Sequence, residues 1–182
     1  MEQSLFNILR RANRFVAAIC GLAVAGCTVF ILLDIVLRQT GGSFGGTDEI
    51  AGYVMAAITT WGLSYALLER AHVRIDVLRG VLQTPGKIFL DMVSLLSLAF
   101  VAIVLAIQSW PVLARTLQND ARANTPLETP LIVPQALWFG GLVWFALMAS
   151  LLVLVACLAI VRREPALVEQ SIGLQSELEG AE

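Results

Sequence analysis

The sequence predicts an all-α integral membrane protein of four transmembrane helices, and three observations carry that prediction. Of 182 residues, 58% are hydrophobic and only 14% are charged, against ~45–50% and ~25% in ordinary soluble proteins. Mean hydropathy is +0.79. The apolar residues gather into four segments of about the ~20 residues that one helical crossing needs. None of the four shows the even alternation of a barrel strand.

Taken in order, residues 1–14 place Leu5, Ile8 and Leu9 on one stripe ahead of Arg10, Arg11 and Arg14. That pattern predicts a short amphipathic segment on the inner membrane surface. Residues 15–37 form the first span, roughly 34 Å at 1.5 Å per residue. A Gly-rich link, 41–47, leads to the second span, 50–68. Thr47 is the expected N-cap there, and Asp48 and Glu49 complement the positive end of the helix dipole. Residues 71–82 are ambiguous, because Ile75, Leu78 and Leu82 recur at helical spacing while 72–77 alternate with period two. A short interfacial helix is the expectation, since an isolated strand would leave backbone groups unpaired. The third span is 92–114, with Asp91 at its start, and a Pro-containing link, 115–129, follows. The fourth is 134–161, within a stretch uncharged from Thr129 to Val161. Residues 163–182 form an acidic tail with few large apolar residues, expected to be mobile.

Lys and Arg set the orientation. Arg10, Arg11, Arg14, Arg70, Arg74, Arg79, Lys87, Arg162 and Arg163 fall on one side of the four spans, and Arg38, Arg115 and Arg122 on the other. The excess places both termini in the cytoplasm and both the 41–47 and 115–129 links outside.

Composition excludes several functions. No basic patch interleaved with aromatics marks a nucleic-acid site. Cys20, Cys27 and Cys157 all lie inside apolar runs with no C-x-x-C, so they read as small packing residues rather than a disulfide or redox pair. Cys27 follows Val24-Ala25-Gly26 as a lipidated cysteine would, but Thr28 to Leu33 continues the apolar run. The first span is therefore read as uncleaved. His72 is the only histidine, so a histidine metal site or a His-paired nucleophile lacks its second member. The middle of every span carries no ionisable side chain; Thr59, Thr60, Ser64, Ser94, Ser97 and Gln108 are among its polar groups. A self-sufficient ion-coupled transporter needs ionisable groups or broken helices at mid-depth, and an enzyme needs a cluster of them. The expectation is a supporting subunit that is not an enzyme and binds no cofactor or metal.

Candidate functional residues lie at the rims. Asp34 and Arg38, four apart, share a helix face and read either as an anchor for the helix end or as part of a proton or cation relay. Asp48 and Glu49 read either as helix-dipole partners or as contacts to a basic residue of a partner. Beyond the second span come Glu69 and Arg70, then His72, Arg74 and Asp76, all expected at the membrane surface. Small residues recur at four-residue intervals, as Ala17, Gly21 and Ala25 in the first span and Gly52 and Ala56 in the second. Such stripes mark close helix contacts, within this chain or with another. Tyr53, Trp110 and Trp138 fall near the outer boundary, where aromatic anchors gather.

One family shares this ordering. Arg38, the Gly-rich link, Asp48-Glu49, a helix with Gly62 and Ala66, His72-Val73-Arg74-Ile75-Asp76, and Thr125-Pro126 to Pro134 leading into Trp138 and Gly140-Gly141 resemble the small membrane subunit of tripartite ATP-independent periplasmic (TRAP) transporters, the DctQ-like family. The resemblance covers about residues 10–162, with Thr47 standing where the family often has Trp. It implies a bacterial or archaeal inner-membrane complex for uptake of an organic acid, a carboxylate or sugar acid. An extracytoplasmic solute-binding protein would deliver the substrate. A large multi-span permease subunit would hold the substrate and sodium sites, so the symport chemistry lies outside this chain. The small subunit would pack on the permease as a scaffold, in contact with membrane lipid. The rival expectation is a stand-alone four-helix exporter acting as a homo-oligomer, although such proteins are shorter and carry a Glu inside the first helix.

Overall fold

The computed structural model describes residues 2–69, 84–125 and 127–162. Four helices, each long and apolar enough to cross a membrane, account for almost all of them: α1 Glu2–Gln39, α2 Thr47–Leu68, α3 Thr84–Gln118 and α4 Ile132–Val161. The expected interfacial helix at 71–82 and the acidic tail lie outside the described residues, as do His72, Arg74 and Asp76.

Two helices begin earlier than the apolar pattern suggests. α1 is continuous from Glu2, because no Gly or Pro interrupts residues 2–20. The segment expected on the membrane surface is thus continuous in helix with the first span. α3 starts at Thr84 rather than near Asp91, with Pro85 in its first turn, where a missing N–H costs nothing. Asp91 is consequently two turns inside the helix and buried, not at the N-terminus expected for it.

Helix ends are set by local chemistry. α1 closes with Gly42 N–H donating to the Leu37 carbonyl at 3.1 Å and Gly41 at φ +85°, a Schellman-type stop in which the left-handed residue is glycine. α3 ends similarly, with Ala121 N–H on the Thr116 carbonyl at 3.1 Å, but Asp120 takes the positive φ of 44°. The N-cap of α2 is Gly46, at φ 70°, with no side-chain cap. Thr47, expected to be the cap, is instead the first helical residue. A left-handed Gly46 already turns the chain into the helix and leaves the Thr47 side chain buried.

The helices pack side by side in the order α1, α2, α4, α3, and α1 touches α4 only marginally. α4 lies inside this row and is the most buried span. Its Ala146, Ala149, Ala156 and Ala159 meet Ala99 and Ala102 of α3 in the core, with Leu67, Leu68, Leu95, Phe145 and Leu152 filling the space around them. Small side chains let the backbones approach, and contact area replaces the hydrophobic drive that lipid cannot supply. Gly141 is the tightest crossing: a Cβ there would run into the Thr60 side chain and come within 2.9 Å of Trp61.

The row leaves both flanks open. Phe15, Leu22 and Val36 on α1, and Phe89, Phe100 and Ile107 on α3, are more than 60% exposed. In water such surface would demand a partner; at membrane depth it meets lipid or another membrane subunit.

Candidate functional site

Polar chemistry concentrates at two rims. One rim carries the α1–α2 and α3–α4 loops; the other carries the start of α1 and the end of α2. Each rim ties separate parts of the chain together.

At the loop rim Asp34 is buried, 1% exposed, and its two oxygens divide the work. Oδ2 accepts from Arg38 Nε at 2.8 Å and forms the ion pair with the same guanidinium at 2.8 Å. Oδ1 accepts from Ser43 Oγ at 3.0 Å and the Phe44 backbone N–H at 2.8 Å. The carboxylate therefore folds the 40–46 loop back onto the helix it leaves. Phe44 then stacks on Phe30, ring centroids 5.4 Å apart.

Asp48 is exposed, whereas Glu49, beside it, is half-buried. Glu49 Oε1 accepts from Tyr53 OH at 2.7 Å. The Thr125 and Thr129 side chains of the second loop lie beside the same carboxylate, although Oε2, a buried atom, closes no hydrogen bond of good geometry. That second loop is itself organised by a bridge between Arg122 and Pro130 and by Ala123 N–H on the Thr129 carbonyl at 3.0 Å. Its Leu127 rests on Gly46. Glu49 and Gly46 thus join the two loops into one polar cap over the ends of α1 and α2.

At the opposite rim Arg10 grips Glu69 with two bonds, Nε to Oε1 at 3.3 Å and a terminal guanidinium nitrogen to Oε2 at 3.0 Å. This is the paired geometry that Arg and a carboxylate favour, and it holds α1 to α2. Asn13, 1% exposed, donates to the Leu9 carbonyl at 3.0 Å and accepts from Trp144 Nε1 at 3.3 Å. Trp144 stacks on Trp61, centroids 6.2 Å apart, and Trp61 Nε1 donates to the Leu137 carbonyl at 2.9 Å. Two indoles and one amide therefore connect α1, α2 and α4 with their polar atoms satisfied, as a low-dielectric setting requires.

The small-residue stripes fall elsewhere. Gly21, Ala25 and Gly52 are exposed and Ala17 and Ala56 half-buried; a Cβ at Gly21 or Gly52 would meet nothing within 4 Å. Chain-internal close approach uses Gly141 and the α3–α4 alanines instead. The pattern of these alanines is visible in the sequence, at spacings of three and seven, but on a helix apolar on every side it does not single out a face. Arg10 with Glu69 and Asn13 with Trp144 are 59 and 131 residues apart, and no local pattern could pair them.

Among the described residues no three His, Cys, Asp or Glu side chains converge to hold a metal ion. These features define a polytopic all-α membrane subunit whose ion pairs lie at its rims. The chain belongs to the DctQ family: the family model described as tripartite ATP-independent periplasmic transporters, DctQ component, matches residues 27–163. This is a component of a transporter and not an enzyme family. No curated protein and no solved structure matches the chain.

Proposed function

We propose that this chain is the scaffold subunit on which the large TRAP permease moves, in sodium-coupled, binding-protein-dependent uptake of an organic acid. The observation that carries the reading is the open row of helices. Its flanks are continuous apolar surface on α1 and α3, while its mid-span interior has no ionisable group to bind a solute or an ion. Substrate and sodium sites then belong to the permease, and this subunit binds no cofactor. The exposed Gly21, Ala25 and Gly52 give a permease helix room to approach. The cap built from Asp34, Arg38 and Glu49 stiffens the face turned to the extracytoplasmic binding protein, with Asp48 free to meet it. His72, Arg74 and Asp76 order the segment on the opposite, cytoplasmic side. Both termini are cytoplasmic, in the inner membrane of a bacterium or archaeon.

Purification of a tagged copy from its native membrane in mild detergent tests this. A large, very hydrophobic protein recovered in constant ratio is the expected result, with loss of organic-acid uptake in cells lacking this chain. A homo-oligomer recovered without a partner would overturn the scaffold role and favour the stand-alone exporter.

A further inference from the structure

Most hydroxyl groups inside these helices donate to their own backbone. Thr28, Thr59, Ser109 and Ser150 each bond the carbonyl four residues earlier, at 2.6 to 2.8 Å. Ser94 and Ser97 of α3 do not, and neither they nor Gln108 has a hydrogen-bond partner among the described residues. All three are exposed. Gln108 lies one heptad, about 10 Å along the helix, inside Arg115. Its short side chain does not reach the headgroups from that depth, and an unbonded amide is costly in hydrocarbon.

These groups share a face. At about 100° per residue, Ser94, Ser97, Val101 and Gln108 fall within about 60° of one another. Their face lies about 135° round the helix from Leu95, Ala99 and Ala102, which pack in the core against α4. It lies about 100° from the exposed Phe89, Phe100 and Ile107. α3 thus turns two faces outward: an apolar one suited to lipid, and a polar one that lipid leaves unsatisfied.

The occupant of the polar face must hydrogen-bond, which an acyl chain cannot do. Ser94, Val101 and Gln108 recur every seven residues, and the same step leads to Lys87 at one end and Arg115 at the other. A seven-residue repeat suits a neighbouring helix at a shallow left-handed crossing, and Ser and Val side chains let it come close. Neither cation is paired with an acid among the described residues. A second copy is the wrong neighbour. Copies share one orientation in the membrane, so a two-fold axis along its normal would set Arg115 against Arg115 and Lys87 against Lys87, like charges at both rims. We propose that the Ser94–Gln108 face of α3 seats a transmembrane helix of the permease. That helix presents a hydrogen-bonding side chain at the depth of Gln108 and an acid level with Arg115. This rests on the scaffold reading and names a face that serves it. A multi-span partner has more than one helix to offer, so the contact adds to that at Gly21, Ala25 and Gly52.

The test uses the full chain purified with the permease from membranes, with the photoreactive residue benzoylphenylalanine placed at position 101 or at position 107. Expected is crosslinking to the permease from position 101, several-fold above that from position 107, which should label lipid. Gln108→Leu removes the hydrogen bonding and keeps the bulk. It should lower the recovery of permease several-fold while leaving the melting temperature of the isolated chain unchanged or higher, since no internal bond is lost. Gln108→Asn retains the amide and should restore part of the recovery. Arg115→Glu should lower recovery as well. With the permease present, crosslinks from position 101 to lipid alone or to a second copy would overturn this contact, as would full recovery with Gln108→Leu. A lower melting temperature of the isolated Gln108→Leu chain would make Gln108 an internal residue and overturn its role. A wild-type preparation without permease would instead overturn the scaffold reading, and this contact with it.

Discussion

Leu127, at the tip of the α3–α4 loop, lies against the Cα of Gly46, at the cap of α2, so that any side chain at position 46 would run into it. Gly46 also holds φ at +70°, a region costly for other residues. Gly46→Ala therefore meets two independent penalties, of which the steric part alone is about 1–3 kcal/mol. Leu127→Ala should relieve the steric part and leave the backbone part. A thermal-unfolding double-mutant cycle in detergent would show this as non-additivity; strictly additive losses would contradict the contact.

Asp34 and Arg38 should differ sharply in importance despite forming one ion pair. Removing the carboxylate strands the Ser43 hydroxyl and the Phe44 N–H, so Asp34→Ala should lower stability by about 1–3 kcal/mol. The Arg38 side chain is 54% exposed, so water can take its place at a carboxylate that keeps its bonds from Ser43 and Phe44. Arg38→Gln should thus be mild. Hydrogen exchange at the Phe44 amide is the direct readout: fast in Asp34→Ala, close to wild type in Arg38→Gln.

The Asn13–Trp144 bond is a polar tie in apolar surroundings. Such bonds in membrane proteins couple by about 0.6 kcal/mol on average. A cycle of Asn13→Ala and Trp144→Phe, followed by denaturant unfolding, should return a coupling of that order. Zero coupling would mean that the amide serves only the Leu9 carbonyl.

Glycines should separate into two classes. Gly141→Ala forces a Cβ onto Thr60, and should cost the isolated chain about 1–3 kcal/mol. Gly21→Ala and Gly52→Ala meet open space and should leave its melting temperature unchanged or slightly higher, since Ala is the better helix former. Measured in the assembled transporter, the same two substitutions should reduce recovery of the permease. Unaltered recovery would remove these positions from the subunit contact.

Much of the fold was legible because hydrophobic length is a local property. Four runs are about as long as a bilayer crossing requires or longer, whatever surrounds them, and their composition leaves little alternative to helix. Boundaries were less legible where polar helix lies outside the apolar run: α1 begins at Glu2 and α3 at Thr84, since continuity of backbone bonding, not hydropathy, decides where a helix starts. The Asp34–Arg38 contact could be read from spacing. That Asp34 also holds Ser43 and Phe44 depends on a loop turning back, which spacing does not encode.

The sequence by itself determined the class, the number of crossings, the confinement of charge to the rims and the family. Each follows from the kinds of residue in a contiguous stretch and from their order. Only the tertiary structure decided the order α1, α2, α4, α3 across the row, the choice of Gly141 rather than Gly21 or Gly52 for close approach, and the joining of the two loops through Gly46 and Leu127. On helices apolar all round, every face is equally acceptable to lipid, so sequence periodicity cannot say which face meets a neighbour. Shape complementarity between specific side chains settles that, and it exists only once the helices are side by side.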